Sequence, residues 1–198
     1  AKLTLMDNRL QVNSSIYQIN WDGLPMTVRA GTSPTCFAPI TINGEEAVVR
    51  GVEIETEFYL TQDLRIGLGG AYKNAELTKD VPIVGAVDGE RLPGTADYSA
   101  YARLRYGFEL ASYTAFIQGG YSYMGSYFSN LKETGTELGG YGKLDVSAGM
   151  TVGKINLEFF ANNVTNTDDL TWIATVFPDN RGYRLKPRTI GLNIGYQF

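Results

Sequence analysis

Glu53, Glu55 and Glu57 repeat at every second position, a spacing that sets three carboxylates on one side of an extended chain. Clustered oxygens suit a hard cation. Alternate Cβ atoms on one strand face stand ~7 Å apart, however, so an ion would need ligands from neighbouring strands. The other reading is a polar wall in which these carboxylates meet Arg65, Arg103 or Arg105. The clusters Gly67-Leu68-Gly69-Gly70 and Gly139-Gly140-Tyr141-Gly142-Lys143 lack the Lys-Ser/Thr pair and the following helix of a phosphate loop. Glycine there is expected to let a sheet curve or to leave space beside it. Trp172 and Phe177 lie among Asp168, Asp169, Asp179 and Arg181, where an aromatic face could stack on a ligand or pin a loop to its base. Arg181 adds a planar fork suited to carboxylate or phosphate groups. Asp88, Glu90 and Arg91 form a second polar set.

Composition narrows what such residues can do. The chain of 198 residues has no His, which removes His-based triads and the usual zinc sites. No nucleophile–base pair stands out, so no enzyme, cofactor or metal is expected. The lone Cys36 has no internal disulfide partner. A formal net charge of -4 gives no basic face for nucleic acid. Hydrophobic residues at 43% and charged residues at 19% exclude a disordered chain.

The elements that must position these residues are strands. Ile190, Leu192, Ile194, Tyr196 and Phe198 alternate with Thr189, Gly191, Asn193, Gly195 and Gln197, giving one apolar and one small or polar face. The same period runs through Tyr98–Leu110, where Tyr98, Ala100, Ala102, Leu104, Tyr106, Phe108 and Leu110 are in phase. It returns in Leu64–Tyr72, Val52–Leu60 and Leu144–Val152. The chain reads as all-β, with about nine strands at roughly 1–5, 10–22, 46–60, 64–77, 97–110, 114–127, 141–152, 155–166 and 184–198. Within 10–22, Ile19 and Trp21 fall out of phase with Leu10, Val12 and Ile16, which predicts a bulge.

Connections alternate in length. Tight turns are predicted at Met6–Arg9, Thr61–Asp63, Ala111–Tyr113 and Gly153–Lys154, and long loops at 23–45, 78–96, 128–140 and 167–183. Short turns at one end and long loops at the other are the habit of an outer-membrane barrel. Most strand charges (Glu53, Glu55, Glu57, Arg65, Lys73, Arg103, Arg105, Lys143 and Asp145) share the non-apolar face, as expected where the apolar face meets lipid. Arg50 has the apolar parity but lies near a loop end, where it is expected to meet headgroups. Tyr121, Tyr123, Tyr127 and Phe128 at one end, and Phe108 and Tyr113 at the other, are expected to form interfacial girdles. No apolar run approaches the ~18 residues of a spanning helix. The start, Ala1-Lys2-Leu3-Thr4-Leu5, has neither an initiator Met nor a signal-peptide pattern, so a processed or mid-chain start is expected.

Four stretches resemble one family. Lys186-Pro187-Arg188-Thr189-Ile190-Gly191 leading to Phe198 resembles the last strand of a TonB-dependent outer-membrane receptor. Arg50-Gly51-Val52-Glu53-Ile54-Glu55 is similar to that family's Gly-hydrophobic-Glu strand. Gly89-Glu90-Arg91-Leu92-Pro93-Gly94 resembles its loop before a Tyr-rich strand, and Phe160-Ala161-Asn162-Asn163-Val164-Thr165-Asn166 its Asn-Asn strand end. The resemblance implies a transmembrane antiparallel β-barrel of 22 strands with a plugged lumen, of which residues 1–198 are the C-terminal part and from which the plug is absent. It implies active uptake of a scarce nutrient of the siderophore-iron, vitamin or saccharide class. The implied partners are outer-membrane lipid, the plug and earlier strands, the TonB complex and the barrel assembly machinery. The implied location is the outer membrane with a periplasmic C-terminus, and Phe198 would be the terminal aromatic that serves assembly. Ligand recognition is expected in the long loops, at Trp172 and Arg181 first and at Asp88, Glu90 and Arg91 second. The alternative is a small self-contained barrel with a structural or adhesion role.

Overall fold

The computed structural model describes residues 1–30, 38–131, 135–174 and 181–198, which contain no α-helix. The first half runs β1 (Lys2–Leu5), β2 (Leu10–Asp22), β3 (Pro25–Ala30), β4 (Ala38–Asn43), β5 (Glu46–Tyr59), β6 (Leu64–Leu77) and β7 (Tyr98–Leu110). The second runs β8 (Tyr113–Met124), β9 (Tyr127–Phe128), β10 (Glu137–Leu138), β11 (Tyr141–Val152), β12 (Ile155–Asn162), β13 (Leu170–Ile173), β14 (Gly182–Arg184) and β15 (Thr189–Tyr196). Nine strands form one antiparallel meander in the order β1-β2-β5-β6-β7-β8-β11-β12-β15. The others make three hairpins, β3 with β4, β9 with β10 and β13 with β14. β1 and β15 do not pair with each other, so the sheet stays open. It is a section of barrel wall, and the self-contained small barrel is not what forms.

The cross-strand partners fix which side each residue takes. Ile54, Gly70 and Ala100 share one row, and Glu55, Gly69 and Tyr101 the next. Directly opposed residues point to the same face. The Glu55 row therefore collects Glu53, Glu57, Arg65, Lys73, Arg103 and Arg105 on one side, as their spacing predicted. That side is concave: a hollow of about 870 Å³ is lined from Gln11 and Asn13 across to Glu158 and Asn193. The convex side carries Ile16, Val52, Leu68, Leu104, Ile117, Leu192 and Ile194 in the open, with Ile16 89% exposed. A water-facing sheet rarely shows so continuous an apolar surface, and lipid is its natural cover.

Aromatic residues bound that surface. Tyr106 stacks on Phe108 at 5.8 Å towards the turn end, and Tyr98 on Tyr123 at 6.0 Å towards the loop end. Between Phe108 and Tyr98 the strand advances ten residues, or ~33 Å. At the usual 35–45° tilt this is ~25 Å of height, matching the apolar band of such barrels. Above the tyrosines the convex face turns polar. Arg50 has the apolar parity its position predicted, but it is paired: it reaches Glu76 at 2.9 Å and the Gln18 amide oxygen at 3.1 Å.

Four local expectations change. β2 runs in unbroken register with β5 from Leu10–Phe58 to Asp22–Glu46, so there is no bulge. Ile19 and Trp21 simply sit on the concave side, opposite Val49 and Ala47. β12 stops at Asn162, short of 166, because Asn163 and Asn166 adopt φ of 51° and 54°. The strand predicted to run to 127 stops at Met124, and Tyr127 and Phe128 form a hairpin with Glu137 and Leu138, so these two aromatics leave the girdle. β15 begins at Thr189, since Gly182–Arg184 pairs with β13 instead.

The loop end has its own core. Leu77, Val81, Ala86 and Ala47 are buried together, with Leu24, Met26, Val84, Leu92 and Leu131 packed against them. The Gly94 N–H donates to the Phe128 carbonyl at 2.8 Å, and the Tyr127 hydroxyl to the Thr171 carbonyl at 2.8 Å. Burial pushes the Tyr127 hydroxyl above its ordinary pKa, which keeps it a neutral donor. Turns at the other end are minimal: Ala111 and Ser112 take φ of 49° and 71°, the positive pair that a two-residue hairpin needs to match strand twist.

Candidate functional site

Two regions concentrate chemistry-bearing side chains, the concave wall and the loop end. On the wall, four aromatic rings lie directly opposite a glycine: Tyr17 over Gly51, Tyr101 over Gly69, Phe116 over Gly149 and Phe160 over Gly191. A Cβ at Gly69 would stand 2.2 Å from the Tyr101 ring, so only glycine lets that ring lie flat on the sheet. Such ring-on-glycine pairs return the packing that the missing side chain forfeits. Of the glycines predicted to leave space in the sheet, Gly69 does so for a particular ring.

The three glutamates are not drawn into one cluster. Glu53 accepts from the Ser15 hydroxyl at 3.4 Å and Glu55 from the Tyr101 hydroxyl at 3.2 Å, while Glu57 meets Arg65 at 2.5 Å. Among the described residues, Arg65 alone of the three arginines expected to face them pairs with a glutamate. Arg103 lies over the Tyr101 ring at 4.7 Å. Arg105 lies over Phe116 at 3.7 Å and donates to Gln118 at 2.7 Å. Gln118 passes the chain on to Ser147 at 2.9 Å. Further along, Lys143 holds Asp145 at 2.9 Å.

Asn163 is the hinge between wall and loop. It is 2% exposed, and its backbone N–H donates to the Asp145 carboxylate at 2.7 Å. Its amide nitrogen donates to the carbonyls of Thr167 and Lys186 at 2.9 and 2.8 Å, and its amide oxygen accepts from the Thr167 N–H at 2.9 Å. Asn166 receives the Arg188 N–H at 2.9 Å. These bonds tie the end of β12 to the entry of β15. The sequence marked this Asn-Asn stretch as a strand end, and the structure adds the clamp.

At the loop end, the Trp172 and Tyr183 rings lie 5.2 Å apart, tilted by 32°. Both rings are largely exposed, at 47% and 68%, on the β13–β14 hairpin. Arg181 is exposed on the turn side of the same hairpin, just beyond the Ile173–Gly182 pair, where its carbonyl receives the Ala174 N–H at 2.6 Å. Arg184 meets Asp168 at 3.2 Å. The structure thus brings Trp172 and Arg181 into one element and adds Tyr183, which sequence reasoning missed. Its signal was the Gly182-Tyr183-Arg184 run, which supplies the pairing strand. Phe177, Asp179 and Cys36 lie outside the described residues.

The second set has partners within its own loop. Arg91 forms an ion pair with Asp97, the Asp88 N–H is held by Asp80 at 2.9 Å, and the Glu90 carbonyl receives the Leu77 N–H at 2.8 Å. These contacts tie the 78–97 loop to itself and, through Leu77, to the buried cluster.

The chain matches the family model described as TonB dependent receptor-like, beta-barrel over residues 1–166. No curated protein matches it. Among solved structures, the ferric preacinetobactin receptor BauA of Acinetobacter baumannii aligns with a TM-score of 0.73 at 21% identity, covering 98% of this chain and 28% of that one. The siderophore receptor PiuA of the same organism aligns with a TM-score of 0.73 at 19% identity, covering 98% and 27%. The ferric yersiniabactin uptake receptor FyuA of Yersinia pestis gives 0.70 at 15% identity, covering 98% and 35%. The chain therefore spans about a third or less of the receptors it matches.

Proposed function

Because the chain belongs to the TonB-dependent receptor β-barrel family, we propose that it forms part of the wall of an outer-membrane receptor that actively takes up a ferric siderophore. The carrying observation is the division of one sheet into an apolar convex face bounded by aromatics and a charged concave face, with tight turns at one end and packed loops at the other. In this reading the turns and the C-terminus lie in the periplasm, and the loops meet the substrate outside. The plug, the remaining strands and the segment that engages TonB belong to the rest of the receptor. Phe198, edge-on to Tyr196 at 5.3 Å, is the proposed contact for the assembly machinery. The names of the three receptors above, each for an iron carrier, favour siderophore-iron over the vitamin and saccharide classes.

Recognition is assigned to the Trp172–Tyr183 ring pair with Arg181 beside it. Two exposed rings in contact offer a broad, low-entropy surface to an aromatic or chelate group. In the full receptor, Trp172→Ala and Arg181→Ala should each weaken binding of the ferric siderophore by about 5–30-fold, the ordinary cost of truncating an aromatic or arginine anchor. Binding titrations on detergent-purified receptor check this. Unchanged affinity in both variants removes this hairpin from the site.

A further inference from the structure

We propose that Tyr127 is a positioning residue for recognition: from the neighbouring β9–β10 hairpin its hydroxyl completes a β-bulge at Thr171 and so holds Trp172 opposite Tyr183, an inference that rests on the recognition reading above. The base of the β13–β14 hairpin is fixed from the barrel side. The Leu185 N–H donates to the Asp169 carbonyl at 3.0 Å, and the Arg184 guanidinium to the Asp168 carbonyl at 2.7 Å. The Asn163 amide holds the carbonyls of Thr167 and Lys186, one on each arm. Leu170 then stands opposite Arg184. Counted on from that pair in regular register, Thr171 would face Tyr183 and Trp172 would face Gly182. Instead Trp172 is opposite Tyr183 and Ile173 opposite Gly182. Thr171 is the extra residue, the two-against-one arrangement of a β-bulge.

A bulged residue leaves the ladder, and its backbone groups need other partners. The Thr171 carbonyl accepts from the Tyr127 hydroxyl at 2.8 Å, and the Thr171 hydroxyl donates to the Tyr183 carbonyl at 3.1 Å. The first of these bonds comes from another loop, and its donor is held in place there. Tyr127 pairs with the buried Leu138. Its ring lies against Gly139, where an added Cβ would stand 3.0 Å from it and where φ is 77°. The Phe128 carbonyl next to it accepts from the Gly94 N–H at 2.8 Å, which ties the donor to the 78–97 loop as well. The ring direction is therefore set within the loops themselves, and the hydroxyl is aimed at one carbonyl.

Bulges re-aim side chains, and here the result is the ring contact at 5.2 Å. Without the Tyr127 hydroxyl the Thr171 carbonyl loses that bond. The hairpin is then free to slip by one residue, which carries Trp172 away from Tyr183. The recognition surface thus stands on one loop while a second loop sets its register.

The test is a double-mutant cycle in the detergent-purified full receptor, with amide hydrogen exchange of Leu170–Ile173 and Gly182–Arg184 read on the same variants. The probe is whichever of a panel of ferric catecholate, hydroxamate and phenolate carriers the unaltered receptor binds most tightly. Tyr127→Phe removes one oxygen and keeps the ring on Gly139, so the barrel should form, as heat-modifiable migration reports. Exchange in the two strands should rise at least about threefold. Affinity should fall about 3–10-fold, the ordinary worth of one hydrogen bond. In a Trp172→Ala background the same substitution should change affinity by less than about 1.5-fold, because the ring that Tyr127 positions is gone. Equal losses in both backgrounds, as a merely structural role would give, overturn the proposal. So does unchanged strand exchange in Tyr127→Phe. If no carrier binds, or if Trp172→Ala binds normally, the recognition reading fails instead, and strand exchange alone decides whether Tyr127 holds the bulge.

Discussion

Replacing Asn163 with Ala in the full receptor is expected to destabilise the wall by about 3–5 kcal/mol. The loss has two sources. Three backbone groups, the Thr167 carbonyl and N–H and the Lys186 carbonyl, lose their partner in a site where Asn163 is 2% exposed, and each buried group left unmade costs about 1–3 kcal/mol. The residue also sits at φ 51°, a conformation that Asn tolerates better than Ala. Asn163→Gly relieves the second cost and keeps the first, so it should fall between wild type and Ala. Folded fraction in a urea titration, read by heat-modifiable migration, checks the order. The Ala variant should also accelerate exchange around Lys186–Thr189, because the clamp holds the entry to β15.

The second large effect separates the two faces of the sheet. Leu68 lies on the convex side in a row with Ala102 and Thr56, and Ala71 on the concave side in a row with Glu53 and Ser99. Leu68→Arg places a charge near the middle of the lipid band and should cost ~2–4 kcal/mol. Ala71→Arg places the same charge opposite Glu53 in a polar lumen and should change stability by less than about 1 kcal/mol. Equal losses in both variants would mean that parity does not decide lipid exposure here.

Most of the wall was legible in the sequence because period two is a property of neighbouring residues. Once Ile190, Leu192 and Ile194 fall on one side, lipid on that side and charge on the other follow from solvation alone. The misreadings share a cause, since each depends on partners distant in the chain. Ile19 and Trp21 looked like a phase error, because no local pattern says that a strand's upper half can turn apolar residues inward opposite Val49 and Ala47. Tyr127 looked like a girdle residue until its hydroxyl was found on the Thr171 carbonyl. The loop hairpins were invisible because their strands are only two to six residues long, too short to carry a period. Arg103 shows the converse. Its type and face were plain from the sequence, but the two glycines that flank it belong to other strands.

The most direct measurement is a spin-label scan of Tyr98–Leu110 in the full receptor reconstituted in a bilayer. Labels at Ala100, Ala102, Leu104 and Tyr106 should be relaxed by lipid-soluble oxygen. Those at Ser99, Tyr101, Arg103 and Arg105 should be relaxed by a water-soluble nickel chelate, in strict alternation along the strand. Accessibility without that alternation, or with the two sets exchanged, would contradict a lipid-facing convex surface and with it the barrel-wall account.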